Sequence, residues 1–182
     1  MIRLGAAALP ALGESYRAAR ALIVPDAIEP AGAAGLRIRV QRAGLSPYWL
    51  ADRGRYQLND SLADPVLFER LRALAEAVTG EPLAVGPFRW LLFGPGDYAL
   101  VKDSRGPTER MLEVTLDFSE ATSGAAGIVY QRGQEAVASV PQLAESLAVV
   151  DRPPGTLRFE RYVSRRFGHA RVLRLRLALL PR

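Results

Sequence analysis

Apolar residues recur with two different periods along this chain. Between Asp64 and Gly80 the period is helical. Leu67, Leu71, Leu74 and Val78 fall at i, i+4, i+7 and i+11, and Glu69, Arg70, Arg72 and Glu76 occupy the opposite face. Asp64 is suited to cap this helix, Pro65 to its first position and Gly80 to its C-terminal stop. The pattern predicts a helix that covers a sheet. Beyond Gly80 the period shortens. "FRWLLFG", "DYALVKD", "MLEVTLDFS", "GIVYQRG", "AVASVPQ", "SLAVVDR", "TLRFERYVS" and "ARVLRLRLALL" are β-rich and bounded by Gly, Pro, Asp or Ser. Eight such segments in about 100 residues imply an antiparallel sandwich or barrel rather than a parallel α/β sheet. In the last of them Leu173, Leu175 and Leu177 point one way, and Arg174 and Arg176 the other. Upstream of the helix the signals are weaker. "GESYRAARALIVP" reads as opening with a short helix, "EPAGAAG" as a loop, and "LRIRVQR", Leu36 to Arg42, as a half-buried strand.

The length, 182 residues, fits one domain spanning 1–182. Its expected parts are N-terminal helix and strand elements over 1–63, the covering helix over 64–80 and a β core over 81–182. With 49% hydrophobic residues a packed core is affordable. The absence of cysteine excludes disulfides, thiolate metal sites and cysteine nucleophiles. The start "MIRLGAAALPALGESYR" has no persuasive cleavage site, and no apolar run approaches the ~20 residues of a membrane span. The expectation is a cytoplasmic protein without a membrane partner.

The net charge is +5 and unevenly spread. From Arg152 onward nine arginines face one acid, Glu160, so this stretch carries +8 and the preceding part −3. Such asymmetry points to an anionic partner. A small carboxylate or phosphate fits best. Nucleic acid fits less well, because the basic residues alternate along strands without an aromatic-rich basic patch. Other chemistry finds little footing. Neither "GPG" (Gly94 to Gly96) nor "SGAAG" (Ser123 to Gly127) has the form of a phosphate-cradling loop, and no G-x-S-x-G occurs. The single histidine, His169, follows a glycine and reads as a solvated turn residue. Tyr48, Trp49, Phe88, Trp90 and Phe93 read as core or lid packing.

Taken in order, the covering helix, "GPGDYALVKD", "LEVTLDFS", "SGAAGIVYQRG", "SVPQLAESLAVVD" and "RYVSRRFG…RVLRLRLAL" resemble the 2-oxoglutarate and iron(II)-dependent oxygenases, in particular their prolyl-hydroxylase-like branch. The resemblance spans roughly Phe68 to Leu180. It implies a mainly β, α+β fold: a double-stranded β-helix, jelly-roll or cupin-like, covered by one or more helices. It also implies iron(II) and 2-oxoglutarate as cofactors. Its His-x-Asp motif falls on Lys102-Asp103-Ser104 and its distal His on Arg165. Its co-substrate-binding Arg falls on Arg174, with Arg176 as the alternative.

The residues now present at those positions argue against the metal. Iron(II) in such a site takes two neutral imidazoles and a carboxylate, and one chain offers one histidine. Cations at Lys102 and Arg165 would repel a dication. The expectation is therefore a degenerate relative without cofactor, acting as a binding, regulatory or structural module. One alternative is an enzyme whose site is non-standard or is completed across a homodimer. The other is an anion or nucleic-acid binder using the basic C-terminal third. If the leucines of the last strand face the helix, Arg174 and Arg176 point into the barrel. A buried guanidinium needs a partner. Asp117 and Glu113 are the internal candidates, favoured over a carboxylate or phosphate ligand.

Overall fold

The computed structural model describes residues 1–100, 106–123 and 126–182. Helix α1 (Leu9–Ala19) leads into strand β1 (Ala21–Val24), and α2 (Pro30–Ala43) into β2 (Ser46–Leu50) and β3 (Gly54–Asn59). The third helix, α3 (Pro65–Thr79), precedes the strands β4 (Leu83–Phe93), β5 (Tyr98–Ala99), β6 (Met111–Asp117), β7 (Ile128–Arg132), β8 (Glu135–Val140), β9 (Leu147–Arg152), β10 (Leu157–Glu160) and β11 (Val172–Pro181). The periodicity of α3 produces the element it predicts. The Asp64 carboxylate accepts from the Leu67 N–H at 3.0 Å, and Gly80 closes the helix at φ 75°.

All strand pairs are antiparallel, in the order β1-β9-β6-β11-β4-β3-β5-β10-β7-β8, with β2 added to β3. The sheet curls until its far end returns on itself. Ile128, Tyr130 and Val140 of β7 and β8 pack against Ala148 and Val150 of β9. The result is a nearly closed cup, a double-stranded β-helix.

The two faces of the curled sheet differ in chemistry. Outward-facing Leu112, Val114, Leu116, Leu147, Val149, Leu173, Leu175 and Leu177 pack on Leu67, Phe68, Leu71 and Val78 of α3 and on Ala33, Leu36 and Val40 of α2. The alternate residues of the same strands, Glu113, Thr115, Asp117, Arg152 and Arg174, are buried on the concave side. One-residue alternation thus decides between an aliphatic layer and a charged one.

The segment from Leu36 to Arg42 is helix rather than strand. Its alternation covers too few residues to outweigh the helical spacing of Ala33, Leu36 and Val40, which are the buried positions, while Ile38 is exposed. Pro30 opens α2 and Gly44 ends it at φ 79°, so "EPAGAAG" supplies the first turns of a helix instead of a loop. Trp49 departs from expectation as well. It lies on β2, paired only to β3, and is 75% exposed. Trp90 and Phe93 are buried, Phe88 packs against the core, and Tyr48 stacks on Tyr56 at 4.7 Å.

Candidate functional site

Strand β6 places Glu113 at the centre of the concave face, fully buried. Three guanidinium groups surround it. Arg152 from β9 reaches one carboxylate oxygen at 2.5 Å, Arg158 from β10 the other at 2.8 Å, and Arg176 from β11 the first at 3.1 Å. The Tyr130 hydroxyl donates to the same carboxylate at 2.8 Å, and its ring lies 5.8 Å from the Arg152 guanidinium. Burial by itself would raise the Glu113 pKa. The fields of Arg176, Arg158 and Arg152, with the Tyr130 hydrogen bond, outweigh it and hold the carboxyl at about 2. Burial, then the neighbouring carboxylate, pushes the Tyr130 phenol above its usual range. A second knot adjoins the first. Arg174 of β11 pairs with Glu160 and, at 3.3 Å, with Asp117, while Arg158 also pairs with Glu160. Asp117 accepts in addition from the Ser119 N–H at 2.9 Å.

Among the described residues four arginines thus share three carboxylates inside the cup, one cation in excess. Arg174 is buried by its internal acids, one of them the anticipated Asp117; the Glu113 carboxylate goes to Arg176 instead. Among the described residues the Arg174 Nη2 has no acceptor.

Arg176 sits differently. Its side chain is 29% exposed, and Arg89 of β4 lies directly opposite it in register. Among the described residues no acid pairs with Arg89. The Arg176 guanidinium lies below its ordinary pKa: Glu113 works to raise it, but burial and repulsion from Arg158 and Arg152 prevail. Arg89, Arg176 and Arg152 line an open cleft of about 440 Å³ at the mouth, with exposed Glu109 among its walls. Behind them Tyr56, Leu91, Phe93 and Arg158 enclose a recess of about 30 Å³. That recess is the size of one water. A ligand therefore has room at the mouth and not in the depth of the cup.

Of the other anticipated site residues, Arg165 alone is among the described ones. Lys102 and Ser104, with Asp103 between them, fall outside the described residues. Arg165 sits in a 3-10 turn, Arg165–Phe167, after β10; its exposed guanidinium lies near Gly96 and not beside Arg174 in the cup. The cation that β10 delivers to the interior is Arg158. Sequence reading missed Arg158, Arg152, Glu160, Tyr130 and Arg89. A two-residue period through "RFE" and through "FRWLLF" is the signal that places Arg158, Glu160 and Arg89 on the inner face. His169 is exposed on a turn, as expected. The +8 of the C-terminal stretch is also not all surface charge, because Arg152, Arg158 and Arg174 are consumed inside.

The described residues supply no donor set that fits iron(II). Among the described residues no three His, Asp or Glu side chains cluster in a way that could hold a metal ion. The cup's carboxylates are each already bound to arginine, and those arginines would repel a dication. Among the described residues no helix is long and apolar enough to cross a membrane.

No family model matches the chain, and no curated protein matches it. Solved structures do. A prolyl-4-hydroxylase from Pseudomonas putida is 13% identical, with 96% of this chain and 99% of that one covered at a TM-score of 0.70. An oxidoreductase of the 2OG-Fe(II) oxygenase family from Burkholderia pseudomallei is 8% identical, with 98% and 93% covered at 0.70. SnoN, a non-heme alpha-ketoglutarate-dependent epimerase of nogalamycin biosynthesis, is 18% identical, with 97% and 84% covered at 0.65. The chain has the fold of the 2-oxoglutarate and iron(II)-dependent oxygenases.

Proposed function

We propose that the chain is a degenerate oxygenase-like cup that has lost iron binding and serves as a binding module for a small carboxylate or phosphate. The anion docks at the mouth against Arg89 and Arg176. The observation that carries this reading is the opposition of those two arginines across β4 and β11, Arg89 having no acid partner among the described residues. Like charges directly opposite each other in a sheet destabilise it. An anion between them removes that repulsion and gains charge-assisted hydrogen bonds from two forks of N–H donors. The interior supports the same reading from the other side, since its carboxylates are already neutralised and its recess is too small for a co-substrate.

The test is calorimetric titration of the purified protein with phosphate, succinate and 2-oxoglutarate, beside elemental analysis for bound metal. Saturable binding of at least one anion, reduced at least about tenfold in Arg89→Gln, is the expected result. Stoichiometric iron, or turnover of 2-oxoglutarate, sinks the proposal. So does the absence of binding by all three anions.

A further inference from the structure

A second pocket lies on the convex side of the sheet, at the opposite end of β4 and β11 from the Arg89–Arg176 mouth. Helix α2 forms one wall through Val40, and Leu45 follows it. The floor is Leu92 at the end of β4, Leu173 at the start of β11, and Phe118 just after β6. Its volume is about 180 Å³. That exceeds the roughly 150 Å³ that holds a benzene ring in an engineered apolar cavity.

The rim is polar, and its charges are unspent. Arg37 donates one hydrogen bond, from Nη1 to the Phe118 carbonyl at 3.1 Å. A guanidinium has five N–H donors, and among the described residues no acid pairs with Arg37. Arg171 is exposed at the other side and likewise has no ion pair among the described residues. Glu120 and His169 complete the ionisable rim. Between rim and floor lies Ser119, 2% exposed, whose Oγ has no hydrogen-bond partner among the described residues. A buried hydroxyl left unpaired costs of the order of 1–3 kcal/mol. Ser119 is among the residues that line the cavity, so a ligand oxygen there can serve as its partner once the hydroxyl turns toward it.

We propose that this pocket is a binding site for a small amphipathic monocarboxylate, with an aromatic or branched aliphatic body of about ring size. The body lies on Val40, Leu92, Phe118 and Leu173. The carboxylate is held by Arg37 and Arg171 and accepts from the Ser119 hydroxyl. Two cations against one acid, Glu120, select an anion over a cation. An apolar floor with a few converging polar groups is the usual form of a small-molecule site. The inference is independent of the mouth, from which it differs in wall chemistry, in end of the barrel and in face of the sheet.

The experiment is calorimetric titration of the full chain with benzoate and 4-methylpentanoate, and with benzamide as the neutral twin of benzoate. Saturable binding of either acid is expected, with benzamide at least about fivefold weaker than benzoate. Arg171→Gln, a surface change that leaves the fold intact, and Arg37→Gln should each weaken the acids about five- to tenfold. Ser119→Ala should weaken them about two- to fivefold. No binding by either acid up to about 10 mM overturns the proposal. So does equal binding of the amide, or an affinity that depends on Arg89 and not on Arg171.

Discussion

Replacing Glu113 by Gln removes one charge from the centre of the cup and keeps nearly the same shape. Arg152 and Arg176 would then lose the carboxylate they pair with, while Arg158 and Arg174 would keep Glu160 and Asp117. Breaking a buried ion pair from one side costs about 3–5 kcal/mol, because the partner charge stays buried without compensation. Proton linkage gives an independent figure. A carboxyl held at about 2 instead of its ordinary 4.5 favours the folded state by roughly 3 kcal/mol at neutral pH. The folded-state value is the lower one, so this contribution is fully present above the unfolded value. It is lost as the pH falls from about 5 through about 2. Two measurements follow. In urea at pH 7, Glu113→Gln should lose about 3–5 kcal/mol, or roughly 6–20 °C in Tm for a chain of this size. Between pH 5 and pH 2 the gap between wild type and variant should narrow by roughly 3 kcal/mol. A loss under about 1 kcal/mol at pH 7, or a gap that stays constant as the pH falls, would show that the three arginines do not act on Glu113 as the geometry requires.

The sign reverses at Arg89. Removing one of two facing cations in Arg89→Gln should stabilise the ligand-free protein by about 0.2–1 kcal/mol in a urea titration, while anion binding at the mouth is lost; destabilisation would mean that Arg89 has an acid partner after all. Asp64→Ala deletes the cap of α3 and should cost about 0.5–2 kcal/mol, read as a shift in urea midpoint at unchanged slope. Gly54→Ala puts a Cβ 3.0 Å from the Tyr98 carbonyl oxygen and 3.1 Å from the Tyr56 ring, where β3 meets β5. It should cost about 1–3 kcal/mol, and a neutral result would mean that this junction is looser than its spacing.

The eight β segments, the helix α3 and its cap were legible because each rests on a period or a terminal signal contained in a few consecutive residues. The division of β11 into leucines for the helices and arginines for the cup was legible for the same reason. The helix α2 was not. Its strand-like alternation over Leu36 to Val40 and its helical spacing over Ala33 to Val40 compete within one short window, and burial against the sheet decides between them. The charged interior was legible at Arg174 and Arg176 but not at Arg152, Arg158 or Glu160. Those residues lie at the end of β9 and within the short β10, and sequence alone does not say which strands will face one another. Arg89 is harder still. Its meaning depends on a register of β4 against β11 that is set by the whole sheet. Pocket residues such as Ser119, Arg37 and Arg171 come from three separate elements, so no local pattern collects them.

The two faces of β11 give the strongest reason to look for a ligand at the mouth. On the convex side the strand supplies Leu173, Leu175, Leu177 and Leu179 to an ordinary apolar layer. On the concave side the same strand supplies Arg174 and Arg176. Buried ion pairs of this kind are not what stability favours. Well-packed apolar residues of equal volume are often neutral or more stable by about 1–4 kcal/mol. The fold therefore does not require arginine at these positions. A cup that only had to hold together could be lined as its outer face is. Among the described residues the lining instead carries one cation beyond its acids and sets Arg176 at the opening, facing Arg89. Inner pairs such as Arg174–Glu160 and Arg152–Glu113 lock the strands in place and satisfy one another. Among the described residues the cation left over, Arg176, stands at an opening of the interior that solvent, and hence a small anion, can reach.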